Sequence, residues 1–248
     1  MKIESTLYYS NILNRNMRVN VYGHDGMPFL FFPTQNSMAS NYEDMGMIKE
    51  LEGYLDAGRI QIFVPDTIDL ESWSDTNGNK SHRAYMQELY FQFVTNELVP
   101  FINENSSTHI PPYTFGCSMG ANHAAICFFR RPDLFSGMMS FSGVFTSAFF
   151  FGNWCDENLY NSSIELFLPN MSNNHPYIDL YNQKKIIFCI GQGAWESDGL
   201  PTYRNLQNIF AQKGIDAWVD YWGYDVKHDW DWWFIQFHYF LPYLLNEK

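Results

Sequence analysis

The stretch YTFGCSMGANHAAICFFRR, residues 113–131, decides how the rest of the chain is read. Tyr113, Thr114 and Phe115 favour a strand, because aromatic and β-branched side chains pack well on a pleated surface. Gly116-Cys117-Ser118-Met119-Gly120 follows, and then apolar residues at helical spacing as far as Pro132. Strand, Gly-x-Ser-x-Gly turn and helix, in that order, make a nucleophile elbow. The turn strains its serine into the open, and the positions two before and two after it must be small because strand and helix come close there. Ser118 is therefore the candidate nucleophile.

Outward from the elbow, short and almost uniformly apolar runs recur at 29–32, 60–64, 137–142, 186–190 and 217–222. Such runs suit strands buried on both faces. Between them lie helical patterns at 43–57, closed by Gly58, at 83–102, with Pro100 expected to bend or end it, and at 203–213, closed by Gly214. An aromatic amphipathic pattern at 229–245 ends the sequence. Two β-like runs at 5–13 and 17–22, joined by tight turns, precede all of these. Short strands alternating with helices imply βαβ units. The expected class is α/β: a mostly parallel central sheet with antiparallel N-terminal strands and helices on both faces. No repeat or linker divides the chain, so one domain over 1–248 is expected, with 146–183 as an irregular insertion near the active site.

Composition narrows the partners. The chain of 248 residues is 46% hydrophobic and 17% charged, enough for a substantial core, and its aromatic content of 19% means that much of the core is aromatic. A formal net charge of −12 with no basic stripe repels a phosphate backbone, which argues against nucleic acid. No run reaches the ~20 apolar residues needed to span a bilayer, so no membrane partner is expected. The N-terminal residues lack the apolar segment of an export signal. Cys117, Cys127, Cys155 and Cys189 lack metal-type spacing and read as free thiols, three of them in apolar surroundings. A cytoplasmic protein is the resulting expectation. A homo-oligomer is compatible with the sequence. No cofactor and no metal site is expected, since His228 with Asp229 and Asp231 is not a plausible ligand set and Gly191-Gln192-Gly193 lacks the Gly-Lys-Ser/Thr ending of a phosphate loop.

A serine hydroxyl becomes a strong nucleophile only when a base takes its proton and a third group orients that base. In open α/β sheets such groups gather at the carboxyl ends of the strands, and after an elbow their chain order is serine, acid, histidine. His228 falls between the last strand pattern and the last helix pattern, the place for the base. His123 lies on the elbow helix and should point away from the serine, His175 sits in the insertion, and His238 is inside the last helix. The acid should follow 186–190, where Gly191-Gln192-Gly193-Ala194-Trp195-Glu196-Ser197-Asp198 offers two carboxylates. Glu196 ranks first and Asp198 second. An oxyanion hole needs two preorganised N–H donors. Met119, first on the elbow helix, supplies one backbone N–H, and Gln35 (or Asn36), in the loop after 29–32, the other. Trp73, Trp154, Trp195, Trp230 and Trp232 lie in or near the same loops and are candidates for a pocket wall.

With these residues assembled, the sequence resembles the esterase branch of the α/β-hydrolases that includes esterase D, S-formylglutathione hydrolases, feruloyl esterases and mycolyltransferases. The resemblance runs from about Leu30 to the C-terminus. It is strongest at Phe115–Gly120, at Arg131-Pro132-Asp133-Leu134-Phe135, at Phe141-Ser142-Gly143, at 191–196 and at His228-Asp229-Trp230. It implies an α/β-hydrolase fold, Ser118 as nucleophile, His228 as base, Glu196 as the best match to the acid and Gln35 at the second oxyanion donor. Where many relatives carry a second glycine after the elbow, this chain has Ala121. The resemblance implies a serine carboxylic-ester hydrolase acting on a small-molecule ester through an acyl-enzyme. An acyltransferase using the same residues, and a silent binding protein on the same fold, are the rival readings.

Overall fold

The computed structural model describes residues 2–246. Strands β1 (Ile3–Ser10) and β2 (Arg15–Tyr22) form an antiparallel hairpin at one edge of the sheet. Strands β3 (Met27–Phe32), β4 (Ile60–Pro65), β5 (Tyr113–Cys117), β6 (Gly137–Phe141), β7 (Lys185–Ile190) and β8 (Trp218–Tyr221) complete an eight-stranded sheet in the order β1-β2-β4-β3-β5-β6-β7-β8. β2 meets β4 antiparallel, and every pairing from β4 to β8 is parallel. This is the α/β-hydrolase architecture, with the antiparallel strands at the N-terminus as expected.

The apolar runs of the inner strands are explained by burial on both sides, whereas the run at 217–222 forms the edge strand β8 and is only partly buried. In β3, Leu30 and Phe32 pack into one core while Phe29 and Phe31 pack into the other. β7 does the same, with Ile186, Phe188 and Ile190 on one face and Ile187 and Cys189 on the opposite one. Successive side chains of a strand point to opposite faces, so a strand covered on both must be apolar at every position. One cover is built from helices α1 (Lys80–Phe93), α2 (Met119–Arg130) and α3 (Leu200–Lys213); the other from residues 41–56 and α4 (Trp230–Leu244).

Three sequence expectations change. The helix expected over 43–57 is three short helices, Asn41–Asp44, Met47–Glu50 and Glu52–Asp56. Gly46 sits between the first two at φ +88°, a left-handed conformation that a continuing helix cannot contain. The helix expected over 83–102 is α1 followed by a π turn at Val94–Leu98 and a last segment, Val99–Asn105. The ladder widens just before Pro100, whose ring removes one donor. Residues 146–183, expected to be irregular, contain the helices Ala148–Phe151, Glu157–Asn161, Ile164–Asn170 and Pro176–Asn182. None exceeds seven residues, so tertiary packing rather than propensity holds them. Leu159, Ile164, Leu168, Ile178 and Tyr181 carry that packing.

Candidate active site

At the end of β5 the chain turns through Ser118 at φ 55° and ψ −124°, a conformation rarely adopted by a residue with a side chain. Its N–H donates to the Phe141 carbonyl at 2.9 Å, and its own carbonyl accepts from Ala121 N–H at 3.0 Å. These bonds tie the turn to β6 and start α2. A Cβ on Gly116 would lie 2.1 Å from the Gly120 backbone, and one on Gly120 would lie 2.1 Å from the Phe32 carbonyl oxygen. Both positions therefore require glycine, for the steric reason read from the sequence.

The same strain frees two groups. A serine at a helix N-cap commonly accepts a bond from the first turn, but Ser118 makes no side-chain cap. Its hydroxyl has no hydrogen-bond partner among the described residues, and neither does the first helical N–H, that of Met119. The helix dipole adds a partial positive charge there. In the loop after β3, the Thr34 N–H donates to Asn41 Oδ1 at 2.9 Å, the Asn36 N–H to Asp69 Oδ2 at 3.1 Å and the Ser37 N–H to the Thr34 carbonyl at 3.0 Å. Among the described residues only the Gln35 N–H of that run lacks an acceptor. Asn36, the alternative read from the sequence, has already spent its donor.

Gln35, Ser118, Met119, Trp195, Asp198 and His228 line one cleft of about 460 Å³. Phe149 and Phe150, from the insertion, form part of its wall. Of the five tryptophans considered, Trp195 alone lines it; it is 85% exposed and held at φ 67°. Trp73 is instead buried against Phe150 and Phe151, Trp154 stacks on Phe151, and Trp230 packs edge-on to Tyr42. Phe150 and Phe151 of the insertion thus cover Trp73, while Trp230 belongs to the core on the opposite face of the sheet.

The loops after β7 and β8 lie side by side. Gly193 N–H donates to the Val226 carbonyl at 2.7 Å and His228 N–H to the Ala194 carbonyl at 3.0 Å. This pairing brings Glu196 Oε2 to 3.3 Å from His228 Nδ1. Glu196 is 1% exposed, while Asp198 is exposed and makes no hydrogen bond to His228. The other Glu196 oxygen, Oε1, accepts from Ser142 Oγ at 2.6 Å. Ser142 in turn accepts from the Trp233 indole N–H at 3.0 Å. Since the indole only donates, it directs the serine hydroxyl proton toward Glu196. The Trp233 ring also meets the His228 ring edge-on, with centroids 5.0 Å apart. Behind this, the Tyr203 hydroxyl donates to the Cys189 carbonyl at 3.0 Å and accepts from Gly143 N–H at 3.1 Å. Burial holds its pKa well above the usual phenol range.

The sequence reading brought Ser118, His228, Glu196, Met119 and Gln35 to one place. It gave no role to Ser142, Trp233 or Tyr203. Ser142 stands in the Phe141-Ser142-Gly143 motif, which was the available signal. The remaining histidines are elsewhere: His123 Nε2 lies 2.8 Å from Asp69 Oδ1 in the interior, His175 caps the helix Pro176–Asn182, and His238 packs on Tyr54. Among the described residues there is no cluster of three or more His, Cys, Asp or Glu side chains able to hold a metal ion, and no helix is long and apolar enough to cross a membrane.

The sequence matches the family described as Putative esterase over residues 10–244. A comparison with curated proteins returned no match. Among solved structures, the chain is similar to a ferulic acid esterase, with 16% identity, 99% of this chain and 97% of that one covered and a TM-score of 0.73. It is similar to the S-formylglutathione hydrolase FrmB of Staphylococcus aureus, with 12% identity, 99% and 96% covered and a TM-score of 0.70. It is similar also to the Mycobacterium tuberculosis protein MPT51, with 14% identity, 99% and 98% covered and a TM-score of 0.75. At these identities the structural likeness speaks for the fold, and the family match, spanning nearly the whole chain, speaks for the class: the chain belongs to the putative esterase family, as an esterase-type serine hydrolase on the α/β-hydrolase fold.

Proposed function

We propose that the protein hydrolyses small-molecule carboxylic esters through an acyl-enzyme formed on Ser118. The observation that carries this reading is the convergence of three segments on one cleft. They are a strained serine whose hydroxyl has no partner among the described residues, a histidine whose Nδ1 faces a buried glutamate at 3.3 Å, and two backbone N–H groups without acceptors among the same residues. A separation of 3.3 Å is long for a hydrogen bond, as is common before substrate tightens a catalytic site.

Glu196 accepts the Nδ1–H of His228, which leaves Nε2 as the basic nitrogen. As Ser118 Oγ bonds to the ester carbonyl carbon, Nε2 takes the hydroxyl proton, and the carbonyl oxygen becomes an oxyanion held by the N–H groups of Met119 and Gln35. The imidazolium then gives its proton to the alkoxide leaving group as the C–O bond breaks. Water repeats the sequence on the acyl-enzyme: Nε2 removes its proton, the acid departs and Ser118 recovers its hydrogen. Glu196 stays ionised throughout and steadies the imidazolium. Each oxyanion donor contributes on the order of 10²–10³ in kcat. Asp198, exposed at the rim, takes no part in the proton transfers.

The test is turnover of a short p-nitrophenyl ester by Ser118→Ala and His228→Ala. Each is expected to lower kcat by on the order of 10⁴ or more, and undiminished turnover by either would refute the assignment.

A further inference from the structure

We infer that the buried Asp69–His123 pair is a positioning device that holds the oxyanion loop against the elbow helix. The inference rests on the acyl-enzyme reading, since it concerns the Gln35 N–H. Asp69 opens a single 3₁₀ turn, Asp69–Glu71, after β4 and is 1% exposed. Its carboxylate makes two bonds to two segments: Oδ1 faces His123 Nε2 at 2.8 Å and Oδ2 accepts the Asn36 N–H at 3.1 Å. Its backbone carbonyl accepts from Ser74 N–H at 2.8 Å, and the Ser74 hydroxyl accepts from Gln35 Nε2 at 2.8 Å. Asp69 therefore restrains Gln35 twice, through its neighbour's amide and through its own side chain.

His123 supplies the fixed end. It lies on α2, the helix that begins with Met119, so both proposed oxyanion donors are joined by one chain of contacts running Met119, His123, Asp69, Asn36, Gln35. Asn36 sits at φ 61°, in the left-handed region that asparagine tolerates, which turns its N–H to Asp69.

Packing alone does not call for this pair. His123 is 1% exposed and lies against the rings of Tyr90 and Phe32. An apolar pair of similar volume would fill that space without the cost of taking a carboxylate out of water. The one polar atom left over is His123 Nδ1, which has no partner among the described residues. With the ring proton on Nε2, Nδ1 is an unmet acceptor of a neutral ring, a smaller cost than an unmet charged donor.

The experiment compares the full-length protein with Ser118→Ala, His123→Phe, His123→Gln and Asp69→Asn. The readouts are kcat and KM on a short p-nitrophenyl ester, Ki for an alkyl trifluoromethyl ketone, and melting temperature. The ketone forms a tetrahedral adduct with an active serine and so loads the oxyanion hole. His123→Phe is expected to lower kcat ~10- to 100-fold, the effect of an imperfectly placed group, with KM within about twofold and the ketone weakened by a similar factor. His123→Gln, whose amide reaches Asp69 from a similar position, is expected to recover kcat to within about threefold of the parent. Asp69→Asn, which faces His123 or Asn36 with a second donor, is expected to resemble His123→Phe and carries the test if that variant does not fold. Unchanged kcat and ketone affinity in a folded variant would overturn the inference. So would a loss that His123→Gln fails to restore and that tracks melting temperature alone. Full activity in Ser118→Ala would overturn the reading of the site itself, a result separable from the other two.

Discussion

Ser142 Oγ donates a 2.6 Å hydrogen bond to Glu196 Oε1 in the interior, 54 residues away in the chain. The bond fixes the glutamate from the side opposite His228. Replacing Ser142 by alanine would strand two buried groups, a carboxylate oxygen and the Trp233 N–H that now donates to Ser142. Leaving a buried polar group unsatisfied costs about 1–3 kcal/mol. Ser142→Ala is therefore expected to lose stability of that order in urea unfolding and to lower kcat roughly tenfold, with KM little changed. A variant equal to the parent in both would show that Glu196 needs no such support.

The two carboxylates of the acid loop should separate cleanly. Glu196→Gln keeps the shape but cannot steady an imidazolium, and losses on the order of 10⁴ accompany such a change in a buried acid. Asp198→Asn, at an exposed position, is expected to stay within about threefold of the parent kcat. Steady-state kinetics of the pair decides it, and the reverse pattern would make Asp198 the acid.

Steric demand at the elbow predicts a folding defect rather than a kinetic one. A Cβ at Gly116 or Gly120 would stand 2.1 Å from backbone atoms, which cannot retreat as a flexible side chain can. Gly116→Ala and Gly120→Ala are each expected to cost several kcal/mol, in the severe range for single substitutions, and to yield little folded protein by circular dichroism. Recovery of either at parental stability would contradict the close approach of β5, α2 and the loop after β3.

Thiol chemistry gives a prediction in pH. Burial pushes the Cys117, Cys127 and Cys189 thiols up, while Cys155 is exposed and its thiol is raised by partial burial and then by Asp156. A disulfide reagent at pH 8 is expected to modify one thiol in the native protein and all four after denaturation. The sign for stability follows. The unfolded chain releases these protons near pH ~8.5 and the folded chain does not, so the contribution is fully present below that value and falls as pH rises above it. Buried Tyr42, Tyr90 and Tyr203, also pushed up by burial, extend the fall to higher pH. Urea midpoints measured from pH 7 to 10 should decline, and a flat profile would contradict the burial of these groups.

Much of this is legible in the sequence where one constraint acts on neighbouring residues. Strands such as β3 and β7 announce themselves because both faces are covered, and the elbow because its glycines and serine fall within five positions, although Gly120 is forced by the distant Phe32 carbonyl as Gly116 is by the Gly120 backbone. The order of serine, acidic loop and histidine loop is likewise a property of the chain itself. What escapes is whatever depends on long-range partners. Asp69 and His123, 54 residues apart, carry no joint pattern, and His123 alone reads only as a residue facing away from the serine. The choice of Gln35 over Asn36 turns on which N–H finds an acceptor, and that acceptor, Asp69, lies in another loop. The short helices of the insertion have too few residues for a period to emerge and exist only because their apolar faces are packed.

The central claim, that Ser118 carries the acyl group, is tested most directly by intact and peptide mass spectrometry after treatment with a fluorophosphonate. One adduct per chain is expected, on the peptide containing Ser118, absent from Ser118→Ala and strongly slowed in His228→Ala. Labelling that persists in Ser118→Ala, or that falls on another residue, would contradict it.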